Sequence, residues 1–355
     1  MTPISGVSGY RLTAPGGPLQ FQEMEPLLAR AGEVVVKVAA CGLCHTDVGF
    51  AYGGVPTRHP LPLVLGHEIA GRVVAAGEGA TAWMGKTVIV PAVIPCGTCE
   101  ACEAGRPTIC RRQFMPGNDG DGGFASHVRV PAHGLCGVPG ILPAGVTLEM
   151  LSVVADAVTT PFEAIQRAQV AAGDLAIFVG AGGVGGFGVQ IAAALGAVVV
   201  AIDVDDARLE LAGQHGASLT LNSRQMSLRD LKSSIRSLKV GGIGWKIFET
   251  SGTTAGQETA FGLLDFGAYL AIVGYTPQKV ELRLSNLMAF DATARGNWGC
   301  APENYPKALD LVLRKKIAIA PFIELHPFDE LPELFEAARE HRIRLRPVIT
   351  SRGTA

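Results

Sequence analysis

The hydrophobic positions of this chain change their spacing near Pro161. Before it, short β-branched runs alternate with Gly- and Pro-rich turns, and Glu33–Ala40 (EVVVKVAA), Gly71–Ala76 and Thr87–Pro91 read as strands of a β-rich, irregular region. Beyond it, Leu175–Gly180 (LAIFVG) is a continuous apolar run of strand length, Phe187–Leu195 continues as an apolar helix and Ala197–Ile202 as a second strand. Arg208–His215 as helix, Leu219–Leu221 and Trp245–Glu249 as strands, Gly256–Leu264 as helix and Tyr269–Gly274 as strand extend the alternation, which predicts a doubly wound parallel sheet. Tyr305–Leu313 and Asp329–His341 read as amphipathic helices and Arg346–Thr350 as a final strand. The expected organisation is α/β: a first domain over 1–157, a parallel-sheet domain over 158–304, and a return to the first domain over 305–355. No internal repeat or low-complexity tract interrupts it.

Composition narrows the function classes. At 355 residues, 48% hydrophobic and 17% charged, the chain has the profile of a globular protein with room for two domains. A net charge of −2 argues against a nucleic-acid partner, which would call for a basic excess. The longest apolar run, Ile191–Ile202, contains Gly196 and is too short to span a bilayer, and Met1–Gly17 lacks the charged and apolar regions of a secretory signal. A cytoplasmic protein with no membrane partner is expected. In that compartment eight cysteines are metal ligands sooner than disulfides.

Three stretches carry candidate chemistry. Cys44, Thr46 and Asp47 share one short loop, and His67 and Glu68 another; a thiolate and an imidazole suit Zn²⁺, and few protein ligands leave a position for substrate. Cys96, Cys99, Cys102 and Cys110 stand in PCGTCEACEAGRPTIC, a spacing that can close a tetrahedral four-Cys shell from a single loop, so a structural zinc is expected there. Cys41, Cys136 and Cys300 read as buried or incidental. The third stretch, GAGGVGG, places Gly180, Gly182 and Gly185 in the GxGxxG pattern between a strand and a helix, where backbone N–H groups can approach a pyrophosphate. Gly183 and Val184 belong to the same cofactor loop. Asp203 ends the next strand about 20 residues on, suited to the adenosine ribose, although it could also cap the following helix. An acidic residue there, with no basic one before Arg208, favours NAD over NADP.

CGLCHTD at Cys41–Asp47, GHE at Gly66–Glu68, the four cysteines and GAGGVG at Gly180–Gly185 occur together in the order and spacing of the zinc-dependent medium-chain dehydrogenases, the alcohol dehydrogenase group, which the chain resembles over essentially its whole length. The resemblance implies a GroES-like catalytic domain plus a Rossmann domain, and two Zn²⁺ per chain. It implies Cys44 and His67 as catalytic zinc ligands, Glu68 as a carboxylate that can approach the metal, and Thr46 as the hydroxyl that takes the alcohol proton. His45, and Arg346 near the C-terminal strand, are implied contacts of the cofactor pyrophosphate, a solvated surface cation being the other reading of either, with Arg208 beside the ribose site. Two positions depart from the commonest pattern. Where many members have a second Cys ligand this chain has Asp156 in SVVADAVTTPFEA, as in secondary-alcohol dehydrogenases of the group; a turn or capping aspartate is the other reading. Gly49 stands where many have a His that ends the proton relay, so proton release must use water or another residue.

Taken whole, the chain resembles the subgroup acting on 6-hydroxycyclohex-1-ene-1-carbonyl-CoA, which implies a secondary allylic alcohol carried on an acyl-CoA thioester. Arg58, Arg111, Arg112 or Arg295 could then serve the CoA phosphates. Dehydrogenation of small or polyol secondary alcohols is the nearest alternative; a zinc-ribbon interaction protein with a decayed cofactor fold is the alternative of another class. The group suggests a homodimer or tetramer.

Overall fold

A computed structural model describes residues 2–352 and divides the chain into two compact units: Met1–Thr159 with Gly299–Leu313 and Ile323–Ala355, and Thr160–Trp298 with Arg314–Phe322. The first unit is built on a seven-stranded sheet. Ile323–Pro327, Arg346–Thr350, Glu33–Gly42, Glu68–Ala76, Thr87–Val90 and Cys136–Gly137 follow one another across it, and His127–Pro131 pairs with Glu33–Gly42. Its long strand is rich in valine because both faces are covered: Val34, Val35 and Val36 are all buried, where a half-exposed strand would alternate. Strands Leu19–Glu23, Ser8–Leu12 and Leu63–Val64 form a smaller antiparallel sheet.

The second unit is a six-stranded sheet in the order Leu219–Asn222, Val198–Asp203, Leu175–Val179, Lys246–Glu249, Tyr269–Ile272, Thr293–Gly296, parallel throughout. Strand order reverses beside the first strand, Leu175–Val179, which is buried on both faces and is followed directly by the glycine-rich loop. Phe178 and Phe248 stack across neighbouring strands at 4.7 Å. The helices that cover this sheet carry their own start signals. Asp205 accepts the N–H groups of Ala207 and Arg208 at the head of Asp206–Gln214, and Thr253 accepts that of Gly256 at the head of Thr254–Gly262.

Several elements differ from expectation for identifiable reasons. The edge strand Thr293–Gly296 is exposed along its length and polar, so no hydrophobic run announces it. Helix Leu228–Ser237 buries only Leu231 and Ile235. The tail does not return whole to the first unit: Gln190 exchanges two hydrogen bonds with the backbone of Ala318, and Phe322 lies 5.5 Å from the ring of Phe187, which keeps Arg314–Phe322 in the second. Among the described residues no helix is long and apolar enough to cross a membrane.

Candidate metal centre and cofactor loop

Sheet pairing brings the first two metal-site loops together. Gly42 pairs with Glu68 across the seven-stranded sheet, so the end of one strand leads to Cys44 while the start of the next follows His67. A side chain at position 42 would collide with the carboxylate of Glu68, which gives this glycine a reason beyond backbone freedom. Asp47 then ties the loops. It is fully buried, and accepts the N–H of Cys44 at 3.0 Å and that of Gly66 at 3.1 Å, while its Oδ1 meets His67 Nδ1 at 3.2 Å. With Nδ1 engaged, Nε2 of His67 is the nitrogen left for a metal. Sequence reading named Asp47 and gave it no role. The signal was a carboxylate three residues after the thiolate, at the first turn of helix His45–Tyr52.

Asp156 ends the 3₁₀ turn Met150–Ala155, and its Oδ2 lies 3.6 Å from His67 Nε2 and 3.8 Å from Cys44 Sγ. Ligand atoms about 2.0–2.3 Å from a Zn²⁺ at tetrahedral angles lie roughly 3.3–3.8 Å apart, so both separations from Asp156 suit one ion. With Glu68, all four offer ligand atoms within 4.8 Å of one another. Cys44, His67 and Glu68 are buried, whereas the Asp156 side chain is 15% exposed, so access to the cluster is on its side. Glu68 Oε2 is buried with no hydrogen-bond partner among the described residues, as an oxygen left for a cation would be. Burial pushes the Glu68 carboxyl up to about 7 against the pull of Arg346. Burial acts to lower the His67 imidazole, but the Asp47 charge and hydrogen bonds to Asp156, Asp47 and Cys44 outweigh it and hold it well above its ordinary value. A metal at this centre displaces that proton.

Arg346 is not the solvated surface cation of its other reading, and it lies beside Glu68. Its Nη1 meets Glu68 Oε1 at 2.6 Å and reaches the carbonyl of Leu43 at 3.4 Å, and the residue is buried against the metal cluster. A guanidinium there offsets part of the negative charge that three acidic residues and a thiolate concentrate. Thr46 Oγ1 lies 3.6 Å from Cys44 Sγ. His45 is exposed, its ring stacked on His341 at 5.9 Å. Gly49 lies within helix His45–Tyr52.

In the second cluster, Cys99 Sγ is 3.5 Å from Cys102 Sγ and 3.7 Å from Cys110 Sγ, and all four sulfurs fall within 4.8 Å of one another. Four thiolates at such separations match a closed tetrahedral shell. Among the described residues no cysteine is in a disulfide, and Cys41, Cys136 and Cys300 are buried.

The glycine loop is held from beneath by the segment after Glu249. Thr250 Oγ1 donates to the carbonyl of Gly180 at 2.7 Å, and a Cβ on Gly185 would meet that hydroxyl at 2.6 Å. A Cβ on Gly182 would meet only the Arg208 guanidinium, at 3.7 Å, leaving backbone that a ligand can approach closely. Asp203 accepts the N–H of Ala181 at 2.7 Å, and its other oxygen accepts those of Val204 and Asp205. The helix-capping alternative falls to Asp205. Arg208 Nη1 stands 4.0 Å from Asp203. Of the arginines considered for a CoA mouth, Arg58 pairs with Asp119 at 3.3 Å and Arg112 donates to Thr98 beside the cysteine lobe, so each has a local partner.

Known proteins match both halves of this architecture. The alcohol dehydrogenase GroES-like domain family matches residues 30–140, and the zinc-binding dehydrogenase family residues 183–314. An alcohol dehydrogenase of Geobacillus stearothermophilus is 30% identical over 334 residues, 94% of this chain and 96% of that one. Crystal structures of galactitol-1-phosphate dehydrogenase from Escherichia coli (TM-score 0.87, 27% identity, 97% of this chain and 99% of that one) and of acetophenone reductase from Geotrichum candidum in complex with NAD (TM-score 0.85, 26% identity, 99% and 98%) share the fold. The chain belongs to the zinc-type medium-chain alcohol dehydrogenase family. It is accordingly a zinc-dependent oxidoreductase that acts on alcohols with a nicotinamide cofactor.

Proposed function

We propose that the chain oxidises a secondary alcohol to a ketone, with Cys44, His67 and Asp156 holding one zinc ion and NAD as hydride acceptor. The observation that carries this reading is the Cys-His-Asp arrangement with Glu68 beside it, all ligand atoms within 4.8 Å. A zinc ion held there supplies Lewis acidity, which brings an alcohol's pKa towards neutrality. Asp47 fixes His67 and the Cys44 loop, and the exposed side of Asp156 admits the substrate. Thr46 takes the alcohol proton; Gly49 cannot pass it on, so release uses water or another residue. Cys96, Cys99, Cys102 and Cys110 hold a second zinc, coordinatively closed and structural.

Cofactor choice rests on Asp203, whose buried carboxylate would repel a 2′-phosphate. Replacement of Asp203 by glycine is expected to reduce the preference for NAD over NADP by about tenfold, the effect of roughly 1.4 kcal/mol. Steady-state kinetics with the two cofactors measure it; an unchanged ratio removes the assignment.

Whole-chain resemblance points to 6-hydroxycyclohex-1-ene-1-carbonyl-CoA as the alcohol, oxidised to 6-oxocyclohex-1-ene-1-carbonyl-CoA in anaerobic aromatic degradation. A polyol or polyol phosphate is the second reading, favoured by the galactitol 1-phosphate 5-dehydrogenase of Escherichia coli, 31% identical over 310 residues. Turnover of the two substrates with NAD⁺ separates them. The CoA ester is expected to show kcat/KM at least about 100-fold higher, on the order of 2.7 kcal/mol of differential transition-state binding. Turnover of galactitol 1-phosphate alone would replace the first reading by the second.

A further inference from the structure

The third ligand is presented by the residue that follows a short 3₁₀ turn, and that turn is anchored by a side chain from far along the chain. Tyr305 opens helix Tyr305–Leu313 and is among the largest side chains buried completely. Its hydroxyl donates to the carbonyl of Ala155 at 2.7 Å and accepts the N–H of Ala92 at 3.2 Å. The Ala155 carbonyl belongs to the peptide that joins residues 155 and 156, and peptide planarity makes a bond at that oxygen fix the nitrogen that carries the Cα of Asp156. The hydroxyl of Thr159, itself a hydrogen-bond partner of Tyr305, reaches the carbonyl of Asp156 at 3.5 Å. An aspartate oxygen lies one bond further from its Cα than a thiolate sulfur does, so a small rotation of the backbone moves the ligand atom further.

We propose that Tyr305 is the positioning residue of the third metal ligand, and that its hydroxyl sets the metal affinity of the Cys44–His67–Asp156 centre. The inference rests on the reading of Asp156 as a ligand. Loss of the hydroxyl leaves the Ala155 carbonyl with only the longer bond from Ala92 N–H, at 3.3 Å. The ring contributes packing and the hydroxyl contributes orientation, so the two are separable by Tyr305→Phe, which keeps the ring.

The four-cysteine lobe is an internal control, because it holds its metal through residues that Tyr305 does not touch. Zinc content and zinc affinity of Tyr305→Phe, measured by competition with a chromogenic chelator, are expected to show one site weakened by about tenfold and the other unchanged, in line with losses of supporting hydrogen bonds elsewhere. Added zinc is expected to restore kcat. Thr159→Val, which removes the hydroxyl that joins Tyr305 to the carbonyl of Asp156, is expected to weaken the same site by a smaller factor. NADH binding, which depends on the Gly180 loop, reports whether each variant is folded. Unchanged affinity at both sites, or equal weakening of both, overturns the proposal. An Asp156→Ala protein that keeps both zinc ions at full affinity overturns the ligand reading beneath it, whatever Tyr305→Phe does.

Discussion

Asp156→Ala is expected to lose one zinc ion, keep the other, and lower kcat/KM by about 10³-fold, since the Lewis acid carries several kcal/mol of transition-state stabilisation and each 1.36 kcal/mol is tenfold. Asp156 stands 3.6 Å from His67 and 3.8 Å from Cys44, separations that suit one ion; with Asp156 removed, Cys44 and His67 alone should not close a stable site. NADH binding should survive, because the glycine loop takes its support from Thr250 and Asp203. Asp156→Cys keeps the ligand charge and softens the donor, so it should retain zinc and recover part of the activity. Metal analysis beside steady-state kinetics decides the matter. Two zinc ions and unimpaired turnover in the alanine variant would remove Asp156 from the centre.

What the sequence made legible was chemistry held within short stretches. The four cysteines span a single loop, and the glycine pattern follows a strand directly, so spacing alone placed both. Strands such as Leu175–Val179, buried on both faces, announce themselves as continuous apolar runs. Thr293–Gly296 escaped notice because it is a polar edge strand, held by its pairing with Tyr269–Ile272 and by no apolar pattern of its own. Partnerships between distant residues were equally out of reach. Arg346 reads in the sequence as a cation before a strand, and only the antiparallel pairing of Arg346–Thr350 with Glu33–Gly42 brings it to Glu68. Tyr305 likewise reads as the start of an amphipathic helix, although its hydroxyl bonds the residue before Asp156.

Arg346→Leu is expected to destabilise the protein by about 3–5 kcal/mol, the range for removing one partner of a buried ion pair. Leucine keeps much of the apolar volume, so the loss reports charge more than packing. Glu68 is fully buried, and without Arg346 its carboxylate faces Asp47 and Asp156 with His67 as the remaining opposing charge. The pH dependence has a definite sign. Burial already raises Glu68 from 4.5 to about 7 in the folded protein, and loss of the lowering influence of Arg346 raises it further. A folded state that binds more protons than the unfolded one loses stability as pH rises from the unfolded pKa to the folded one. The deficit of Arg346→Leu should therefore be smallest near pH 5 and grow towards pH 8, and added zinc should reduce it by drawing on the same carboxylates. Denaturant unfolding at both pH values, with and without zinc, measures these effects. A deficit below about 1 kcal/mol at pH 8, the worth of an exposed pair, would show that the Glu68–Arg346 contact is solvated and carries no buried charge.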